Sequence, residues 1–282
     1  MNQPEQVKDN NNAMMSEVLE QGDIYFFYRP KKDAEKVKGF EDIRHFFMVT
    51  VPEGRRQVYA EENESQIYRL FVLGGKSLPE IRKKSEGTAS ERYWARVVNI
   101  FTDRNELTKE LFSDKLRKGD TARPVGEGKY AIVKHQNHAE LAYILEMPKE
   151  PGEAQKELGV EKEASYIISV INPKKPAAAS AVAVGGGYPT TEEFPMYPEE
   201  VLNEFKDSEI FVSLSKDTRL IDYQNAQIIL IGAREGRDVI RKEISVEISD
   251  EDETQQSADI FTKLKIQRYQ VPIKPLIEGK LE

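Results

Sequence analysis

The sequence predicts an α+β protein with a mostly antiparallel β-sheet or barrel-like core and a few short helices. Three observations carry this expectation. Short runs rich in Tyr, Phe, Val and Ile recur along the chain and stop at Pro or Gly, as strands do. Connections such as Gln136–Asn137 are too short for a parallel crossover. Helical periodicity, by contrast, is confined to brief windows.

Taken in order, residues 1–12, with Asn10, Asn11 and Asn12, show no periodicity and read as a disordered start. A short helix is expected from Ala13 to Glu20. Gly22 then opens an aromatic strand, Ile24 to Tyr28, which Arg29–Pro30 stops. Further strands are expected at Phe46–Val51, Ile67–Leu73 and Tyr93–Phe101, the last with burial on both faces. Asp103 and Glu106 resemble a capping box, and Leu107, Leu111 and Phe112 recur at helical spacing, so a helix follows. Tyr130–Lys134 and Glu140–Met147 flank a tight turn. Pro151–Leu158 reads as a short helix with a proline start and Gly159 as its stop.

Tyr166–Ile171 is another strand. The Pro-, Ala- and Gly-rich stretch that follows reads as a linker, with Pro176 to Pro189 expected to be mobile. A helix is expected over Pro198–Lys206 and a central strand over Gln227–Ile231. Ile244, Val246 and Ile248 alternate, as do Thr262, Leu264 and Ile266, which suggests a closing hairpin. The divisions expected are therefore a tail or short helix over 1–20, a β-rich core over 21–175 and a loop over 176–196. A helix and central strand over 197–234 pack on that core, and a hairpin and tail fill 235–282. The predicted core is Phe27, Phe47, Val49, Leu70, Val72, Val97, Ile132, Leu145, Ile168 and Ile229.

Two stretches share an order of events. Gly22-Asp23, three strands and a proline after the second strand recur as Gly126-Glu127-Gly128, three strands and Pro148. Duplication and convergent punctuation of an antiparallel sheet both account for this.

Composition narrows the function. The chain has no cysteine, which removes disulfides, thiolate zinc sites and iron–sulfur clusters together. No stretch approaches 18 apolar residues, so no membrane-spanning helix and no membrane partner are expected. The first 20 residues lack a basic start and an apolar run, so a cytoplasmic location is expected. The net charge of −8 is uneven: residues 22–84 carry +3 and residues 177–282 carry −8. A local basic face can therefore coexist with an acidic chain.

Two constellations carry chemistry. His135 and His138 flank a two-residue turn, which sets their Cβ atoms about 5 Å apart across a hairpin. With Glu140 they form a candidate site for Zn²⁺ or another divalent ion, and the structural alternative is an ordinary polar hairpin tip. Arg29, Lys31, Lys32, Lys36 and Lys38 follow the aromatic strand, and Arg82, Lys83 and Lys84 follow Leu78-Pro79. Basic groups beside aromatic faces can neutralise phosphates and stack bases, although Tyr25, Phe27 and Tyr28 are more often core.

Other patterns fail stricter tests. Gly185-Gly186-Gly187 lacks the Gly-Lys-Ser/Thr of a phosphate loop, and Ser249–Asp259 lacks the central glycine of a calcium loop.

The Gly-Asp step into a hydrophobic strand at Gly22 resembles one strand of small RNA-reading barrels of the PUA and EVE type, and implies no functional residue here. More broadly, GDIYFFYRP (Gly22 to Pro30), YRLFVLGGKSLP (Tyr68 to Pro79), Pro124 to Pro148 and LIDYQNAQIILIGA (Leu220 to Ala233) resemble a family of uncharacterised conserved prokaryotic proteins. That resemblance covers about residues 22–233. It implies one continuous domain that includes Gln227–Ile231, and it brings no activity. The functional expectation is a non-enzymatic binding or interaction module with a protein partner not yet specified and no cofactor. The alternatives are an RNA or single-stranded nucleic-acid binder using the early basic face, and a divalent-metal-dependent enzyme around His135 and His138.

Overall fold

The computed structural model describes residues 17–32, 34, 36–54, 66–81, 91–112, 121–135, 137–175, 193–233, 258–266 and 271–282. The strands are β1 (Glu17–Pro30), β2 (Ile43–Pro52), β3 (Tyr68–Leu73), β4 (Arg92–Phe101), β5 (Arg123–His135), β6 (His138–Met147), β7 (Glu163–Ile171), β8 (Phe211–Ser213) and β9 (Gln227–Gly232). They run in the order β6-β5-β1-β2-β3-β4-β9-β7-β8, and a β6–β7 ladder closes the first eight into a barrel. Every ladder is antiparallel. The predicted fold class is the observed one, and Gln227–Ile231 lies within the barrel wall between β4 and β7.

Strand alternation sorts the apolar residues into two layers. Ile24, Phe26 and Tyr28 of β1 point inward and meet Phe46, Met48, Phe71, Val97, Ile132, Leu145 and Ile168. The Phe26 and Tyr143 rings sit 5.1 Å apart, and these side chains fill a barrel of this strand number. Tyr25, Phe27, Phe47, Val49 and Leu70 point outward instead. They are covered by α1 (Arg104–Phe112) and by a C-terminal segment containing Ile260, Leu264 and Leu276.

The predicted core therefore spans both layers. Nine of its ten residues are buried, and Val72 is half-buried against the outer layer. Gly22 and Gly128 lie where a Cβ would strike the carbonyls of Val51 and Ile144 on neighbouring strands. Glycine at both positions lets β1 approach β2, and β5 approach β6.

Two plugs close the ends. At one end, which also carries the β5–β6 hairpin, Tyr197, Val201, Phe205 and Leu220 cover the interior. At the other, Leu78, Ala154, Leu158 and Val160 do so, around α2 (Glu153–Glu157). The two matched stretches of the sequence each fold as a three-strand meander, β1-β2-β3 and β5-β6-β7, and they meet along the long β1–β5 ladder.

Several expectations need correction. Residues 17–20 are not helical. They extend β1, because Glu17 and Val18 find ladder partners in Lys134 and Val133, and tertiary pairing outweighs local helix preference. Thr262 lies not in a strand but in α4 (Asp259–Thr262), with Leu264 and Ile266 packed beyond it. The Glu127 carboxylate explains this, since it accepts the Asp259 and Ile260 N–H groups at the helix start. The helix expected over Pro198–Lys206 shortens to α3 (Glu199–Leu202), followed by turns. The burial expected on both faces of β4 is present, though sparse: Ala95 and Val97 belong to the inner layer and Phe101 to the outer one. Residues 1–16, Pro176–Pro189 and Ile244–Ile248 lie outside the described residues.

Candidate functional site

A cleft of about 730 Å³ opens at the end of the barrel plugged by Leu78 and Val160. One wall is the Gly74–Pro79 turn that leaves β3. Its path is fixed by contact: the Trp94 ring lies against Gly74, the Tyr93 ring lies against Gly75, and Leu78 N–H donates to the Leu158 carbonyl at 2.9 Å. The facing wall comes from α2 and the Gly159–Lys162 approach to β7. Gln155, fully buried, ties α2 down by donating to the carbonyls of Val125 (2.7 Å) and Pro275 (2.8 Å).

The described lining is acidic. Glu80, Glu91, Glu150, Glu157 and Glu161 outnumber Lys156 and Lys162. Glu91 accepts the Glu80 N–H at 3.0 Å. Partial burial and the neighbouring Glu91 carboxylate raise the Tyr93 phenol above its usual range. Partial burial lowers the Lys162 ammonium, whose Nζ donates to the Leu145 carbonyl at 2.7 Å.

Sequence reading missed this cleft. It registered the end of a strand at Leu73 and Gly159 as a stop, but not that the segments beyond them face each other across the barrel mouth. Only Arg82, Lys83 and Lys84 of the predicted residues belong to a neighbouring stretch, between Glu80 and Glu91, and they lie outside the described residues.

The histidine constellation does come together, at the opposite end and on the outer wall. His135 and His138 pair across the hairpin with ring centroids 5.6 Å apart and planes 27° from parallel. His138 Nε2 donates to Glu140 Oε1 at 3.1 Å, and His135 Nε2 lies 4.0 Å from Oε2 of the same carboxylate. Glu140 is buried, and Ser165 Oγ donates to its Oε2 at 2.5 Å. As the side chains stand, no group of three or more His, Cys, Asp or Glu among the described residues is arranged to hold a metal ion.

Of the basic constellation, Arg29, Lys31, Lys32, Lys36 and Lys38 are among the described residues. Arg29 donates to the Glu110 carbonyl at 2.8 Å and lies 5.1 Å from the Phe47 ring centroid, which fastens α1 to the wall. Lys31, Lys32, Lys36 and Lys38 are exposed. Tyr25, Phe27 and Tyr28 are buried, so their rings are closed to base stacking.

A buried ionic group inside the hairpin end was also missed. Arg69, fully buried, is gripped by Glu20 at 2.6 and 2.9 Å and by Asp222 at 2.6 Å, while Tyr130 OH donates to Glu20 at 2.8 Å. Burial opposes the charge on Arg69, and the two carboxylates outweigh it and raise its pKa. In sequence Arg69 sits within an apolar run, YRLFVL, and that interruption is the signal that could have found it.

No helix among the described residues is long and apolar enough to cross a membrane. Comparison with family models, with curated proteins and with solved structures finds no match for this chain.

Proposed function

We propose that this chain is a cytoplasmic, non-enzymatic binding module that receives a short basic segment of a protein partner in the cleft at the barrel end. The carrying observation is the cleft itself. The interior of the barrel is filled by side chains, so a ligand is received at the rim, and the cleft volume falls in the range of ordinary ligand sites. Tyr93, Leu78 and Pro79 offer apolar contact, and the carboxylate excess among the described lining residues favours Lys or Arg on the incoming segment. Both walls are pinned by buried contacts, which limits the ordering cost of binding.

The chain carries its own probe. Trp94 is the single tryptophan, follows Tyr93 of the cleft lining in the chain, and packs its ring on Gly74, three residues before that lining begins at Ser77. Titration with a Lys-rich hexapeptide is expected to change its fluorescence saturably, with binding weakened by salt. Tyr93→Ala and Glu91→Gln are expected to weaken binding, and a Glu-rich hexapeptide to give no change. Loss of saturation, or equal binding by these variants, overturns the reading. So does saturation by a single-stranded RNA in place of the peptide, if it is lost when Lys31, Lys32, Lys36 and Lys38 are all changed to Gln.

A further inference from the structure

We propose that Arg123, with Tyr28 beside it, forms a site for a small carboxylate at the cleft end of the barrel, and that residues 281–282 are its displaceable cover. Arg123 begins β5 and stands opposite Tyr28 in the β1–β5 ladder, so its side chain turns inward with that ring. Its guanidinium carbon lies 5.8 Å from the Tyr28 ring centroid. The residue is 6% exposed, yet Nε and Nη1 are buried without a hydrogen-bond partner. Neither Arg123 nor Tyr28 belongs to the lining of the acidic cleft, so this is a separate site.

Arg69, also buried, shows what such a group ordinarily requires. Glu20 and Asp222 grip it, and their charges raise its pKa against the effect of burial. Arg123 has no carboxylate at ion-pair distance among the described residues, and burial lowers its pKa. A guanidinium withdrawn from water without an acceptor is costly, and a ligand carboxylate would offset that cost. The planar fork of arginine matches the two oxygens of a carboxylate, and the Tyr28 hydroxyl supplies a third donor beside it.

The chain over this place is firmly anchored only as far as Gly279, whose carbonyl accepts the Ala154 N–H at 2.8 Å. Beyond it, Glu282 donates its N–H to the Tyr28 hydroxyl at 3.2 Å, and its backbone oxygen accepts from that hydroxyl at 3.3 Å. Both distances are at the long end for hydrogen bonds. The Glu282 side chain pairs with Lys274 at 3.4 Å, where both groups are part-exposed, and Leu281 is only partly buried against the inner core. Weak contacts thus hold a carboxylate-bearing residue beside an arginine that lacks one. An incoming carboxylate that takes the Tyr28 hydroxyl from Glu282 gains the Arg123 fork as well, and Lys274 adds a second positive charge nearby.

Sodium acetate titrated into the full-length protein at constant ionic strength tests the site. The Arg123 Nε–H NMR signal, identified by its loss in Arg123→Met, is expected to shift saturably and to exchange more slowly with water. In variants, binding is followed at the Tyr28 amide. Arg123→Lys keeps the charge without the fork and is expected to weaken binding at least tenfold. Glu282→Gln removes the competing carboxylate and is expected to strengthen it. A second measurement separates a ligand-binding arginine from a structural one. Without acetate, Arg123→Met is expected to unfold at a higher denaturant concentration than the parent, because an apolar side chain replaces an unpaired buried charge. A lower midpoint makes Arg123 structural and overturns the proposal, as does the absence of saturation. Tighter binding of inorganic phosphate than of acetate overturns the assignment to a carboxylate, and unchanged affinity in Glu282→Gln overturns the cover.

Discussion

Glu127, fully buried in β5, accepts the backbone N–H groups of Asp259 (2.9 Å) and Ile260 (2.7 Å), 132 and 133 residues further along the chain. One carboxylate thereby starts α4 and fastens the C-terminal segment to the barrel wall. Nearby, Lys263 Nζ reaches Asp23 at 2.9 Å and Asp259 at 2.6 Å, which adds a second, more exposed tie.

Replacing Glu127 by Ala leaves two buried N–H groups without acceptors. Loss of a helix cap costs about 1 kcal/mol, and an unsatisfied buried donor about 1–3 kcal/mol. The expected outcome is faster hydrogen exchange at the Asp259 and Ile260 amides, with the barrel strands protected as before. Unchanged exchange at both amides would show that the apolar contacts of Ile260 and Leu264 suffice.

Arg69→Met leaves the Glu20 and Asp222 carboxylates facing each other inside the barrel. Breaking a buried ion pair from one side costs about 3–5 kcal/mol, and the denaturant midpoint should fall accordingly. Adding Glu20→Gln to that variant is expected to restore part of the loss. If the double variant is no more stable than Arg69→Met, the two residues are not energetically coupled as their 2.6 Å contact implies.

His45 gives a pH dependence of known sign. Burial, reinforced by Arg44, Arg29 and Lys76, lowers its pKa to about 4. The unfolded chain binds a proton near pH 6.5, whereas the folded one stays neutral until about pH 4. Its contribution is therefore complete above pH 6.5, declines as pH falls toward 4, and is constant below that. His45→Gln should flatten the stability profile in this window alone. An NMR titration of His45 with a midpoint at 6 or above would refute the assignment.

The layering of the core is testable by truncation. Ile132→Ala opens a cavity inside the closed barrel, where no neighbour can collapse freely, and should cost about 2–5 kcal/mol. Val72→Ala, half-buried on the outer face, should cost about 1 kcal/mol or less. Equal losses would contradict the assignment of these residues to different layers.

The barrel was legible because its strands announce themselves locally. β1, β2, β3, β6 and β7 are short apolar runs bounded by proline, glycine or asparagine, and the Gln136–Asn137 turn forces its neighbours antiparallel. What escaped the sequence is what distant pairing decides. Glu17–Glu20 look helical alone and become strand only because β5 offers them partners. Thr262–Ile266 alternate like a strand, yet Glu127 makes the segment's first turn helical. The histidine constellation was readable because three of its parts lie within six residues, whereas Ser165, its fourth, arrives through the β6–β7 ladder. The cleft was not readable, since its two walls are about 80 residues apart and meet only when the barrel closes.

Closure also decides how this chain can meet copies of itself. A strand inside the ring has a neighbour on each side, so it offers another chain little edge to extend. Among the described strands, only β8 has a ladder on one side alone, and it is three residues long. Among these described strands, Phe211, Val212 and Ser213 are where strand addition would find an open edge, with few bonds to repay the ordering of an incoming segment. The apolar content of this sheet is thus kept out of intermolecular pairing by its topology, without charged or proline-bearing guards along each strand.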